Sequence, residues 1–599
     1  MYRRHHQALS TLLTLLITPG CLTVLGGHGQ AQRFPWGKLR DRQPISGKLR
    51  RKFGVSPEFA AYFGTPPPKR LRTHNTMRSQ VPIELRDTLD NRDPMRKALL
   101  CVLAVACLAG AAPKKPKLVL AIVVDQFRYD YLTRFRSEYH GGLARLLGQG
   151  AVFTNAGYIH VPAITAVGHS TFLTGATPST SGIVANEWFD RDEGVHVTSV
   201  SDPQTRLLGG TGPGSSPNRL LVSTIGDELK MAGAGQPRVI GVSLKDRAAI
   251  LPSGHMADGA FWFDSKTGKF VSSTYYYKEL PAWVEEFNAP RPAERYRGVT
   301  WLGHKLPDDN AKLFEEIEVS PFGNELMEAF AERALGAEQL GTREFTDLLT
   351  VSFSSNDYVG HRYGPDSPEV RQTALATDRL LEKLFQAVDC RVGAGNYLVV
   401  FTADHGVAPV PEVNVARKMP GGRIDPAAIK AAVELALVKM YGAGEWVAGA
   451  WDLAVYLNQG LVARLKLDLA EVEREAARAI QALPHVSRVY TLEDMKRGWG
   501  LRDSVSQKVA NGYNSRRGPD VELIPDPYWM VGTGHGTTHA APYSYDTHVP
   551  VIFMGAGIRP GLYHAPIVVN DIAPTLATML EIETPSGSVG RPLTEILVD

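Results

Sequence analysis

Six side chains of this sequence have the types and spacings needed to hold two divalent metal ions. Asp357 and His361, in NDYVGHRYG, stand four apart, so both point the same way from one helical turn. His539, in GTTHA, could complete a first site. Asp404 and His405, in TADHG, could form a second with Asp125, in VVDQF. Imidazole and carboxylate without thiolate suit Zn²⁺ best, and Mn²⁺, Co²⁺ or Fe are also allowed. Taken singly, each of these residues is more often a helix cap or a satisfied polar group. The joint pattern carries the reading.

A nucleophile is available in HVPAITAVGHSTFLTG. Thr165 follows Pro162 and opens a short helix-like run ending at Gly175, which places its hydroxyl at a helix N-terminus, where anions are favoured. A metal ion on that hydroxyl would lower its pKa, and a second ion about 4 Å away would hold the leaving oxygen of an in-line displacement. From this segment alone, the helix N-cap is the reading of Thr165 to be preferred. Fixed positive charge comes from Lys245 and Arg247 in SLKDRAAILPSGH. They are two apart, so on an extended segment they face one side, and both suit phosphoryl oxygens. Asn186, in GIVANEWFD, could add an amide donor. The plainer reading of this pair is a solvated loop.

The elements that must position these residues are legible as apolar runs. Residues 117–124, 348–353, 397–402 and 549–554 are rich in Val, Ile, Leu and Phe and read as strands buried on both faces. Asp125, Asp357 and the pair Asp404-His405 follow three of them, and open α/β sheets bind ligands at the carboxyl ends of strands. Ser367 as N-cap with Pro368 at N1 predicts a helix running toward Cys390. Residues 205–219 read as a Gly-, Ser- and Pro-rich loop, and 261–276 as a hairpin turning at Thr267-Gly268. Segment 415–530 has a helix from about Asp468 to before Pro484 and a strand-like SRVYTL, as expected of an inserted subdomain.

With 65 Lys+Arg and 62 Asp+Glu in 599 residues the formal charge is +3. Residues 1–112 hold 18 basic and 6 acidic side chains, a charge of +12, which leaves the rest at −9. The body is acidic, which removes the support for nucleic acid as a dedicated partner. Two apolar stretches, 8–26 and 98–112, resemble secretory signals. The second follows Met95, Arg96 and Lys97 and ends in small residues. Residues 1–94 are therefore expected to be a non-native or disordered extension, with translation beginning at Met95. Residues 95–112 read as a cleaved signal, and 113–599 as a periplasmic or extracellular catalytic domain with insertions near 190–345 and 415–530. Neither stretch gives a comfortable membrane span. Three of the four cysteines precede residue 113, and Cys390 is expected to be buried and inert. The mature chain is expected to be a monomer.

The segments VVDQFRYDYL, PAITAVGHSTFLTG, GIVANEWFD, GVSLKDRAAILPSGH, NDYVGHRYGP, TADHG, GTTH followed by YDTHVPVIFMG, and the closing PSGSVGRPL occur in this order from about Lys117 to Arg591. The set resembles the alkaline phosphatase superfamily, and within it the phosphate-irrepressible alkaline phosphatases that use a threonine nucleophile. The resemblance implies an α/β fold with a central, mostly parallel sheet flanked by helices and carrying inserted cap segments. It implies that Thr165 is phosphorylated and contacts the metals, and that Asp357, His361 and His539 bind one zinc. Asp125, Asp404 and His405 would bind the other. Asn186, Lys245 and Arg247 would contact the phosphoryl group of small phosphate monoesters, with no organic cofactor.

Nucleotide pyrophosphatase/phosphodiesterases share this core, so type I phosphodiesterase activity is the alternative. The Lys245/Arg247 pair favours a monoester, whose dianionic group offers three non-bridging oxygens. A sulfatase would carry C/S-x-P-x-R where ITAVG stands. A serine hydrolase elbow would need a final glycine where Phe172 stands in Gly168-His169-Ser170-Thr171-Phe172. A binding protein that kept its metals would have no need of the Thr165 hydroxyl. His255, His548 and the aromatic run Tyr275-Tyr276-Tyr277 with Trp283 are read as packing or supporting groups.

Overall fold

Strand-forming runs and their helical connections assemble a mixed sheet of 12 strands. The structure, a computed structural model, describes residues 15–18, 21–25, 31–35, 115–498 and 503–598. The chain divides into a unit of residues 1–106 and one of residues 107–599. In the first, Leu15–Thr18, Cys21–Leu25 and Ala31–Pro35 pair as an antiparallel sheet, the first two strands within the apolar stretch 8–26. The signal-like residues 95–112 lie outside the described residues.

The sheet of the second unit contains β1 (Leu118–Val124), β2 (Ala151–Gly157), β3 (Ser201–Leu208), β4 (Pro213–Ser215), β5 (Val239–Ser243) and β6 (Gly259–Asp264). It continues with β7 (Lys269–Ser273), β8 (Asp347–Phe353), β9 (Tyr397–Thr402), β10 (His548–Gly555), β11 (Gly561–Tyr563) and β12 (Ile567–Val568). The spatial order is β11-β2-β10-β9-β1-β8-β5-β6-β7-β3-β4, with β12 also on β2. The five central strands β9, β1, β8, β5 and β6 run parallel, and β10 joins β9 and β2 antiparallel. Every residue of β1, β5, β8 and β9 is buried, which is why these runs lack polar alternation.

Register makes the carboxyl ends of four neighbouring strands level: Ser243 pairs with Ser352, Phe353 with Val124, and Thr402 with Val123. The residues just beyond them are Lys245, Asp357, Asp125 and Asp404-His405, so a single edge of the sheet collects the charged groups. Helix α1 (Thr165–Thr174) is buried at all ten positions. Ile164, just before it, and Val167 pack into one apolar cluster, Ala166 into a second, and Phe172 and Leu173 into the main core. Three separate packings fix that helix and the hydroxyl at its start.

Helix α2 spans Asp246–Ile250, α3 Ser355–Tyr363 and α4 Pro368–Val392. Ser367 Oγ caps α4 by accepting from the Val370 N–H at 3.1 Å, as the sequence predicts. Its buried face runs through Leu381, Leu384, Phe385, Val388 and Val392. Cys390 lies two residues past Val388, about 200° around the helix, and is exposed rather than buried. The insertion after β9 has its own four-stranded sheet, Val447–Trp451, Ala454–Leu457, Val521–Pro525 and Val486–Thr491, backed by the Leu469–Gln481 helix with Asp468 as N-cap. The hairpin at Thr267-Gly268 is present between β6 and β7. Residues 205–219 differ from expectation: β3 and β4 pair there at the sheet edge despite the glycines and prolines, where an unpaired outer side tolerates them.

Candidate active site

Two clusters of ligand-type atoms lie at the level strand ends. Asp357, His361 and His539 form one, and Asp125, Asp404 and His405 the other, the donor atoms within each group lying inside 4.8 Å of one another. In the first, His361 Nε2 is 3.1 Å from Asp357 Oδ1, and His539 Nε2 is 3.2 Å from His361 Nε2. In the second, His405 Nε2 is 3.4 Å from both Asp125 Oδ1 and Asp404 Oδ2.

Backbone carbonyls set the tautomers. The Nδ1–H groups of His361, His539 and His405 donate to the carbonyls of Thr537, Ala163 and Gly406 at 2.8, 2.9 and 2.9 Å. Each Nε2 therefore turns a lone pair inward, the state a metal ligand requires. Asp125 Oδ1, Asp404 Oδ2 and His405 Nε2 are buried with no hydrogen-bond partner. Three converging acceptors without a donor are costly in a protein interior, and a divalent cation is the group that satisfies all three. The donor set thus fits two metal ions.

Lys245 joins the clusters. Its Nζ donates to Asp125 Oδ2 at 2.7 Å and Asp357 Oδ2 at 2.6 Å, one carboxylate from each, and reaches Thr165 Oγ1 at 3.4 Å. Burial works against its charge, but Asp125 and Asp357 outweigh it and hold the ammonium pKa above its usual value. Burial, reinforced by repulsion from Asp357 and Asp404, pushes the Asp125 carboxyl well above the ordinary range. Burial, with His405 and His361 close by, keeps His539 neutral well below its usual pKa.

Thr165 is the first residue of α1, and Ile164 holds the cap position, with no side-chain cap bond at that end. The hydroxyl is therefore not engaged as an N-cap and is free to face the clusters. Asn186 Oδ1 accepts from the Ala166 N–H at 2.8 Å, which fixes its amide beside Thr165. Lys245 and Arg247 do not share an extended segment. Lys245 is the N-cap of α2 and Arg247 lies in its first turn, so the pair sits on a helix start rather than a strand.

Three supporting residues escape sequence reasoning. Gln126, at φ 60°, donates its backbone N–H to Asp404 Oδ1 at 3.0 Å and its amide to Asp357 Oδ1 at 2.5 Å, tying the two clusters together. His169, fully buried, donates from Nδ1 to the Thr165 carbonyl at 2.9 Å and lies 3.2 Å from Asp404 Oδ2. The Tyr358 ring lies 4.8 Å from Lys245 Nζ. The i, i+4 spacing of Thr165 and His169 is the one signal that could have found any of them. His255 instead bonds Leu220 and Asp227, His548 stacks on Tyr129, and Tyr277 and Trp283 pack on Phe261. These groups serve packing.

Residues 119–549 match the family model described as type I phosphodiesterase / nucleotide pyrophosphatase. Alkaline phosphatase PafA of Elizabethkingia meningoseptica is 39% identical over 542 residues, covering 84% of this chain and 99% of that protein. Alkaline phosphatase PhoV of Synechococcus elongatus is 36% identical over 556 residues, covering 84% and 100%. The crystal structure of wild-type PafA matches with a TM-score of 0.77 at 39% identity, covering 82% of this chain and 100% of that one. The fold, the paired ligand clusters and these similarities agree: the chain belongs to the type I phosphodiesterase/nucleotide pyrophosphatase family, within the alkaline phosphatase superfamily.

Proposed function

We propose that this chain is a phosphate monoester hydrolase that transfers the phosphoryl group first to Thr165 and then to water. The observation that carries the reading is Lys245, whose buried ammonium touches one carboxylate of each cluster and the Thr165 hydroxyl. Asp357, His361 and His539 would hold one zinc ion, and Asp125, Asp404 and His405 the other. When bound, the ions would lower the pKa of the Thr165 hydroxyl and of water and offset charge on the leaving oxygen.

The residues divide the remaining work. The Thr165 hydroxyl gives its proton to solvent, and Oγ1 forms a bond to phosphorus as the bond to the alcohol oxygen breaks; the alcohol takes up one proton from solvent as it departs. Water then attacks phosphorus, the Oγ1–P bond breaks, one proton of that water passes by way of solvent to Oγ1 to restore the hydroxyl, and the other leaves with hydrogen phosphate. Lys245 stabilises the deprotonated Oγ1 by hydrogen bonding and keeps positive charge beside the transferring group. Arg247 and the Asn186 amide hold its non-bridging oxygens. A monoester presents three such oxygens and a dianion, which rewards these donors; a diester replaces one oxygen with a substituent. Relatives named alkaline phosphatase over most of their length support the same substrate class.

The signal-like segment 95–112 supports export to the periplasm or beyond. Among the described residues no helix is long and apolar enough to cross a membrane. The test is turnover of phenyl phosphate by the zinc-loaded chain, with acid quenching to trap labelled phosphothreonine. Thr165→Ala should abolish the label and lower kcat by at least about 10³-fold. Label that persists in Thr165→Ala would refute the assignment.

A further inference from the structure

The two loops that carry the ligand-type residues meet on one turn of helix, Ser544–Thr547, just before β10. The Asp546 carbonyl accepts from the Gly406 N–H at 2.7 Å and the Tyr545 carbonyl from the Val407 N–H at 2.9 Å, which seats the loop carrying Asp404 and His405. A Cβ at Gly406 would strike the Tyr545 carbonyl oxygen, so this approach is as close as backbone allows. The Asp546 side chain turns to the other loop. Its Oδ2 accepts from the Ala541 N–H at 2.8 Å, two residues past His539. Between them Ala540 stands at φ 102°, a conformation that a residue with a Cβ keeps only where its surroundings impose it. Asp546 is 1% exposed, and its Oδ1 has no hydrogen-bond partner. Burying a carboxyl with one oxygen unsatisfied is costly, so the bond to Ala541 is the feature that accounts for an acid here.

We propose that Asp546 is a positioning residue for one metal site: its bond to the Ala541 N–H holds Ala540 in its strained conformation and so aims His539 Nε2 at the zinc of the Asp357 cluster. The inference rests on the two-metal reading of the site and adds the residue that sets the geometry of one cluster. Without that bond Ala540 is free to relax toward negative φ, and His539, its neighbour, moves with it. Asp404 and His405 are held through the Asp546 backbone carbonyl, which truncation of the side chain leaves in place. The two sites should therefore respond differently to one substitution. Burial pushes the Asp546 carboxyl well above the ordinary range, so the neutral amide of asparagine is a close stand-in for it.

The test measures both zinc dissociation constants of the full chain by competition with a chromophoric chelator, with circular dichroism to confirm folding. Asp546→Ala should weaken one ion about 10- to 100-fold, the range for loss of a group that orients a metal ligand, and leave the other within about threefold. The weakened ion should be the one that His539→Ala also weakens. Asp546→Asn, which keeps an acceptor oxygen, should stay within about threefold for both. Ala540→Gly, added to Asp546→Ala, should recover at least about threefold, because glycine adopts positive φ without a Cβ penalty. Both ions weakened alike, neither weakened, no recovery with Ala540→Gly, or a loss in Asp546→Asn equal to that in Asp546→Ala would overturn the assignment. Asp546→Ser, whose hydroxyl is too short to reach Ala541, replaces the alanine variant if that one does not fold. If neither folds while Asp546→Asn does, the bond serves the fold rather than the site and the assignment fails. A wild-type chain that binds no zinc would instead refute the two-metal reading, and this inference with it.

Discussion

Replacing Gly168 by alanine tests whether helix α1 is held against the metal-ligand loop as tightly as the structure shows. A Cβ at Gly168 would sit 2.2 Å from the Asp404 carbonyl oxygen and 2.7 Å from its Cα, both backbone atoms that cannot swing away. Restoring ordinary contact needs a separation of about 1 Å between α1 and the Asp404-His405 loop. Overpacking of this kind costs about 1–3 kcal/mol. Thr165 lies three residues earlier, on the same face of α1, so the shift moves the hydroxyl relative to Asp404 and His405. A 1 Å misplacement of a reacting group costs about 10²-fold in rate. The assay is kcat/KM on phenyl phosphate at saturating zinc, with Tm measured in parallel. Gly148→Ala serves as the control: it lies in the Gly142–Gln149 helix, nothing stands within 4 Å of the added Cβ, and it should be neutral or stabilising by about 0.5–1 kcal/mol. Gly168→Ala with activity within about threefold of wild type and an unchanged Tm would refute the reasoning.

Chelation should abolish activity and lower Tm, because the orphaned Asp125, Asp404 and His405 atoms lose the group that satisfies them, and zinc should restore both. Activity that survives exhaustive dialysis against chelator, with metal content confirmed as nil, would contradict this. Glu522 supplies a pH test away from the catalytic groups. Burial alone pushes its carboxyl up to about 8, and its Oε1 has no partner. The folded state therefore holds a proton that the unfolded chain releases near the ordinary carboxyl range, and this residue's contribution falls as pH rises from there to about 8. Glu522→Gln should raise Tm by at least about 2 °C at pH 9 and by much less at pH 5; equal shifts at both values would show that the charge is not the cause.

What could be read from sequence follows from how local its cause is. Strands β1, β8, β9 and β10 are continuous apolar runs because both faces are covered, and the metal-type residues follow three of them within four positions. Asp125, Asp357, Asp404 and His405 are legible for that reason, His361 by its i, i+4 spacing from Asp357, and the α4 start by Ser367-Pro368. Residues whose roles depend on long-range register are not. Gln126 serves the site through a positive φ and contacts 231 and 278 residues away, and His169 through a buried approach to Asp404. The relation of Lys245 to Arg247 depends on where α2 begins, which two charged residues in sequence do not fix. Residues 205–219 read as a loop from composition and form an edge hairpin because β7 is there to pair with β3. Cys390 is exposed because helical phase, rather than its own apolarity, decides which side it faces.

The central claim is that the fixed cations select monoesters, and the most direct measurement is a comparison of kcat/KM for phenyl phosphate and for a phosphate diester with the same leaving group. Wild type and Lys245→Ala are run side by side, zinc-loaded, with metal content determined for both. The account predicts that wild type favours the monoester by orders of magnitude, and that Lys245→Ala lowers monoester turnover about 10²-fold or more while changing diester turnover far less. A wild type that favours the diester, or a Lys245→Ala variant that leaves the monoester rate intact, would contradict it.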